Sequence, residues 1–155
     1  MLFSSITFLY YFLPLFIIIY YITPKKYRNI TVLIFSLIFY FLGEPRFIIV
    51  LILSCTINYV LSKKIEKSPH SKRYLILALI YNIGQLLIFK YTNFFISNIN
   101  TIFNINIPYT YITMPIGISF FTFQALGYII DVYNKKHTSA RNILEFMTYI
   151  SLFPQ

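Results

Sequence analysis

Acidic residues and cysteine are both scarce in this sequence of 155 residues, which contains four Asp and Glu residues, one cysteine and no tryptophan. Charged residues of either sign make up 11% of the chain and hydrophobic residues 58%, with a mean hydropathy of +0.70. A soluble domain carries about a quarter charged residues, so a soluble fold of this length has no way to hide so much apolar surface. The single cysteine, Cys55, excludes an intramolecular disulfide and a multi-cysteine metal site. It lies inside an apolar run, which favours a small buried residue over a functional thiol.

Motifs of soluble enzymes are absent as well. The sequence contains no P-loop, no GxSxG, no GxGxxG and no HExxH. The net charge of +9 could indicate a nucleic-acid ligand, but Lys and Arg stand at the ends of apolar runs instead of forming a stripe between exposed aromatic residues. We therefore expect no nucleic-acid partner and no metal. The two histidines, His70 and His137, lie in Lys-rich loops, and we interpret both as solvated loop residues.

Long apolar runs separated by short basic clusters dominate the sequence, a pattern typical of membrane-spanning helices. It predicts an all-α, polytopic transmembrane protein in which residues 1–155 form one membrane region. About six transmembrane or half-membrane helices are expected, at approximately 2–22, 29–43, 46–62, 74–90, 114–132 and 143–155. Pro14 predicts a kink in the first helix, and Pro115 fits the first turn of the fifth. Residues 93–113 are too polar for a span and predict an interfacial segment.

The basic residues fall into alternate loops. Eleven of the thirteen follow the first, third or fifth predicted helix, whereas Arg46 and Lys90 fall on the other side. Positive residues mark cytoplasmic loops. The pattern therefore predicts a multi-pass protein of the cell membrane, with the N-terminus outside and the basic loops in the cytoplasm.

A polar stripe runs along the fifth predicted helix. Gly117, Gln124, Tyr128 and Asp131 are separated by 7, 4 and 3 residues, which places them on one face of a helix. A polar stripe on a membrane helix normally faces the protein interior or a water-filled cavity. Two interpretations stay open: the stripe lines a cavity, or Gln124 and Tyr128 bond to neighbouring helices while Asp131 pairs with Lys135.

Smaller polar groups occur in two other apolar runs. Ser54 and Asn58 are one turn apart in the third predicted helix, and Asn82 and Gln85 are three residues apart in the fourth. We interpret these side chains as hydrogen-bonding groups that hold helices together.

Several segments resemble the membrane-bound O-acyltransferase family, in its alginate O-acetyltransferase-like branch. They are MLFSSITFLYYFLPLF at the start, PKKYRN, FYFLGEP, FKYTNFF, MPIGISFFTFQALGYIIDVY at 114–133 and the closing YISLFPQ. The resemblance is to the N-terminal part of that family and extends over essentially the whole chain. The matching motif positions are Pro115, Gly117, Ser119, Gln124 and Asp131, for which structural roles are expected.

The resemblance implies an enzyme that moves an acetyl or other acyl group onto hydroxyls of an extracellular polysaccharide such as alginate. It implies acetyl-CoA or another acyl carrier as donor, no covalently bound cofactor, and an extracytoplasmic polysaccharide-acetylation partner protein beside the lipid bilayer. The family's catalytic histidine lies downstream of the matched segments. We therefore expect no catalytic residue within these 155 residues and no activity from them alone.

Two alternatives remain from the sequence. One is the D-alanyl-teichoic-acid transfer branch of the same family. The other is a non-enzymatic membrane transport or scaffold protein, which ionisable residues inside the spans would favour. Apart from Lys90 and Asp131 at span ends, the apolar runs contain none.

Overall fold

The chain is described by a computed structural model that covers residues 6–103, 105, 108, 115 and 117–152. Within these residues the secondary structure is helical and contains no strand, so the predicted all-α class is confirmed. The α-helices are α1 Leu13–Ile22, α2 Arg28–Gly43, α3 Ile48–Lys67, α4 Ser71–Leu86, α5 Thr92–Phe103, α6 Ile118–Tyr133 and α7 Ile143–Ser151. The outer ends of the first and last predicted spans, and Met114, lie outside the described residues.

The helix α1 is joined to the rest of the bundle through aromatic side chains. A π-helical turn, Phe8–Phe12, leads into α1, and Pro14 lies in the first turn of α1. Phe8 packs edge-on against Phe39 with ring centroids 5.3 Å apart, and Phe12 packs against Phe35 at 5.6 Å. Within α1 itself, Phe16 packs edge-on against Phe35 at 5.3 Å, which lays α1 along α2. The other faces of α1 are exposed.

The helices α2 and α3 form the predicted hairpin, closed by a tight turn at residues 44–47. The helix α3 extends to Lys67, five residues beyond the predicted end. Lysine is a good helix former, so the helix continues past the apolar run. It ends at Ser68, whose extended backbone (φ −96°, ψ 141°) suits a residue that precedes proline.

The helix α4 continues into α5 without a break. A π-helical turn at Leu87–Tyr91 links them, and Thr92 keeps helical backbone angles (φ −55°, ψ −50°). The expected helix end near Lys90 is therefore wrong, because no proline or glycine interrupts the backbone there. The predicted interfacial segment is helical as far as Phe103. At 1.5 Å per residue the stretch from Ser71 to Phe103 is about 50 Å long.

Among the residues that the structure describes, two helices are long and apolar enough to cross a membrane, α3 and the continuous stretch Ser71–Ile102. The helix α3 lies at the centre of the bundle and packs against α2, α4, α6 and α7. Large apolar side chains cover the outward faces of the helices, among them Ile49, Ile80 and Phe123. A soluble monomer rarely exposes apolar surface on this scale, whereas a bilayer accepts it. The described fold is that of a helical membrane protein.

Candidate functional site

The helix α6 begins immediately after a glycine in left-handed conformation. Gly117 has φ +77° and stands at the N-cap, so the helix starts at Ile118. The prediction of Pro115 as a first-turn residue is therefore wrong, because the left-handed residue separates it from the helix. Pro115 is fully buried before the turn, and its carbonyl oxygen accepts a hydrogen bond from the Ile118 N–H at 3.2 Å.

The apolar face of α6 enters the core of the bundle. Phe121, Ala125 and Ile129 are at most 4% exposed and pack against α3, α4 and α7. The predicted polar stripe lies at the margin of this face. Gln124, Tyr128 and Asp131 are half-buried there, and Gly117 is exposed. The motif residue Ser119 is also half-buried, but it lies at the other margin of the apolar face.

Gln124 and Tyr128 bond to the segment that follows α6. The Gln124 side-chain nitrogen Nε2 donates to the carbonyl oxygen of Tyr149 at 2.8 Å. The Tyr128 hydroxyl accepts the N–H of Ala140 at 2.5 Å, and its ring packs edge-on against Phe146 with centroids 5.0 Å apart. The stripe thus fixes the position of α7 on α6.

Asp131 forms an ion pair, but with a different lysine from the one that the sequence pattern suggested. Its carboxylate lies 3.4 Å from Nζ of Lys136, whereas one of the two interpretations of the stripe paired it with Lys135. The helix ends at Tyr133, and Lys135 takes a left-handed conformation (φ +58°), so the four-residue helical geometry is lost. The Lys136 side chain is 66% exposed and the Asp131 side chain 41%, and a solvent-accessible pair of this kind contributes about 0–1 kcal/mol.

A cavity of about 360 Å³ opens beside the end of the stripe. It is lined by Tyr128, Asp131, His137, Thr138, Ala140, Glu145, Phe146 and Tyr149. The lining of the cavity therefore combines aromatic side chains with two carboxylates and an imidazole. No group of metal-ligating side chains occurs among the residues that the structure describes.

Sequence reasoning placed His137 in open solvent and did not single out Glu145. His137 is exposed but lines the cavity, so it shares this space with Asp131. The Glu145 carboxylate accepts the N–H of Arg141 at 2.9 Å and so secures the start of α7. The spacing of Asn142 and Glu145, typical of a capping box, is the signal that could have identified this carboxylate.

A second polar layer lies inside the bundle between α3 and α4. Asn58 and Asn82 are fully buried and bond to each other through their side-chain amides. Ser54 Oγ accepts a hydrogen bond from Asn58 at 3.3 Å. Gln85 is buried on the same side of α4, and among the described residues its amide has no hydrogen-bond partner. These contacts support the interpretation of Ser54, Asn58 and Asn82 as packing groups.

The second and third basic loops meet at one end of the bundle. The Ser139 hydroxyl donates a hydrogen bond to the Glu66 carboxylate, which ties the loop after α6 to the end of α3. A shared cavity is lined from both loops, by Ser68 and Pro69 on one side and by Lys135 and Lys136 on the other.

Known proteins match the chain over nearly its whole length. The probable alginate O-acetylase AlgI of Azotobacter vinelandii is 36% identical over 99% of this chain and 32% of its own. The protein of the same name from Pseudomonas aeruginosa is 36% identical over 99% of this chain and 31% of its own. The peptidoglycan O-acetyltransferase of Helicobacter pylori is 27% identical over the whole chain and 36% of its own. No family model and no solved structure matches.

The apolar helices and their exposed apolar faces define a helical membrane protein, and the relatives show which proteins it is similar to. The chain is a relative of the alginate O-acetylases, in agreement with the resemblance to membrane-bound O-acyltransferases that its motifs indicate. It spans about a third of the length of the curated relatives that it matches.

Proposed function

We propose that the chain supplies part of the membrane-embedded body of an O-acyltransferase that acetylates hydroxyls of an extracellular polysaccharide. The observation that carries the proposal is the 36% identity to alginate O-acetylases over 99% of the chain. The same reaction class is named for the Helicobacter pylori relative, whose acceptor is peptidoglycan. O-acetylation is common to both names, and the hydroxyls of an alginate-like exopolysaccharide are the acceptor that we propose.

The proposed membrane arrangement is multi-pass, with the basic loops in the cytoplasm and the N-terminus outside. Two features support it: eleven of thirteen basic residues fall in alternate loops, and Ser139 bonds to Glu66 where two of those loops meet. Arg46 lies in the turn between α2 and α3, at the opposite end of α3 from Lys67.

The acyl donor, acetyl-CoA or another acyl carrier, would then approach the basic end of the bundle. Such carriers are anionic, and a surface of one charge sign raises the local concentration of an oppositely charged ligand. The cavity beside Asp131 and His137 opens near this end, where Lys136 is exposed. We propose that the α6 stripe holds α7 in place, and that α7 forms one wall of the cavity that the acyl donor approaches. An extracytoplasmic partner protein would receive or present the acceptor polysaccharide.

A segment exchange tests the proposed function. The part of the Pseudomonas aeruginosa AlgI that matches this chain is replaced by residues 1–155, and the hybrid is expressed in cells that lack AlgI. We expect alginate to regain ester-linked acetate, measured by base release, whereas residues 1–155 expressed alone restore none. A hybrid that reaches the membrane in normal amount but leaves alginate free of acetate would contradict the proposal.

A further inference from the structure

A groove with an apolar floor and a basic rim lies on the outer surface of α3, in its last turns. It has a volume of about 360 Å³ and is lined by Tyr59, Val60, Lys63, Lys64, Lys67 and Ser68. Val60 is 43% exposed and forms part of the floor. The lysines follow at three- and four-residue spacing from Val60, so that floor and rim belong to one face of the helix.

The three lysines of the groove have no acidic partner. Asp131–Lys136 is the ion pair that occurs in the part of the chain that the structure describes, and Glu66, the acidic residue nearest in sequence, accepts a hydrogen bond from Ser139. Lys63 lies over the ring of Tyr59 with Nζ 5.8 Å from the centroid. Lys64 lies over the ring of Tyr74 at 5.5 Å. Aromatic rings hold these ammonium groups at the rim but leave their positive charge uncompensated.

The groove lies where a membrane surface is expected. The helix α3 is apolar enough to cross a bilayer, and its lysines follow directly on its apolar part. Lysines at such a position extend their ammonium groups towards the headgroups while their methylene chains remain along the apolar surface. The charge at the rim and the apolar floor together suit an occupant that is anionic at one end and apolar at the other.

We propose that this groove binds an anionic phospholipid of the adjoining leaflet. The phosphate lies among Lys63, Lys64 and Lys67, and the upper part of an acyl chain lies along Val60. Basic pockets beside transmembrane helices bind anionic headgroups through such contacts. The site is separate from the α6 cavity and does not depend on acyl transfer.

A measurement of lipid retention tests for binding at this groove. The purified chain in mild detergent is titrated with phosphatidylglycerol or phosphatidylcholine, and bound lipid is counted by native mass spectrometry. We expect retention of phosphatidylglycerol in preference to phosphatidylcholine. Each lysine changed to glutamine should weaken the binding roughly fivefold, and the Lys63→Gln, Lys64→Gln, Lys67→Gln triple variant on the order of 100-fold.

The matched control removes three positive charges elsewhere, by Lys25→Gln, Lys26→Gln and Lys135→Gln. This control variant should retain the lipid. Circular dichroism should show equal helix content in the two triple variants. A Val60→Ser variant should bind phosphatidylglycerol less tightly. Equal loss in the control, equal retention of phosphatidylcholine, or full displacement of the lipid by soluble glycerol phosphate would each overturn the proposal.

Discussion

Asn58 and Asn82 form a reciprocal pair between α3 and α4, in which each side-chain amide donates to the oxygen of the other, at 3.1 and 2.6 Å. Both side chains are fully buried. In the apolar interior of a membrane protein, such a pair fixes the register of two helices. A shift of either helix would leave both side-chain carbonyl oxygens without their donors.

Asn82→Leu should therefore destabilise the bundle by about 1–3 kcal/mol, because it leaves the Asn58 side-chain oxygen Oδ1 buried without its donor. The double variant Asn58→Leu with Asn82→Leu should recover part of this loss. Thermal unfolding in detergent measures both. The control is Asn98→Leu, since Asn98 is exposed and, among the described residues, bonds within its own helix, to Phe94. Equal effects of Asn82→Leu and the control would show that the pair does not contribute.

Gln124→Leu should loosen α7, because it removes the hydrogen bond to the Tyr149 carbonyl. We expect faster hydrogen exchange at the backbone amides of α7 and, in the hybrid with AlgI, reduced acetylation at normal protein level. Phe123→Leu is the matched control, since Phe123 is a neighbour that is 63% exposed. Unchanged exchange in α7 after Gln124→Leu would contradict the role of the stripe as the link to α7.

Gly117→Ala should destabilise the start of α6 by roughly 1–2 kcal/mol, because an L-residue is strained at φ +77°. The space around Gly117 is open, so the effect is one of backbone conformation and not of collision. Gly127→Ala is the control. It lies exposed within the helix, also with open space around it, and should be neutral or stabilising by up to about 1 kcal/mol. Thermal unfolding should show a lower midpoint for Gly117→Ala and an equal or higher midpoint for Gly127→Ala.

The proposed orientation predicts which sites an impermeant thiol reagent reaches in intact cells. Cysteine at Ser68 or Thr138 should be shielded, whereas cysteine at Asn98, in the helix beyond Lys90, should react. Native Cys55 is 1% exposed and gives no background. Ser139 is unsuitable as a reporter because it is only 5% exposed, so packing would shield it on either side of the membrane. Labelling at Ser68 or Thr138 from outside would contradict the orientation.

The helical class and the polar stripe could be predicted from the sequence, because both depend on local periodicity. The 3.6-residue repeat fixes the angle between Gln124 and Tyr128 once the segment is helical. The partner of the stripe could not be predicted, because Tyr149 lies 25 residues away and reaches Gln124 only through tertiary packing.

The predictions that failed concern positions where a helix ends, or continues, without a strong signal in the local sequence. Asp131 pairs with Lys136 because the helix ends at Tyr133. The helix continues through Lys90 because a polar residue alone does not end a helix. Composition also gives no way to tell which phenylalanine is buried: Phe121 is 4% exposed and Phe123 63%. Burial of one phenylalanine and not the other depends on where α3 and α4 lie.

The exposure of α1 affects how the sequence can diverge among homologues. None of its ten residues is buried, and the chain before it contacts α2 through Phe8 and Phe12. Positions such as Ile17 and Ile18 therefore need only be apolar, and exchanges among Ile, Leu, Val and Phe should be nearly neutral there. Homologous chains should drift fastest along the lipid-facing side of α1, while Phe8 and Phe12 remain aromatic.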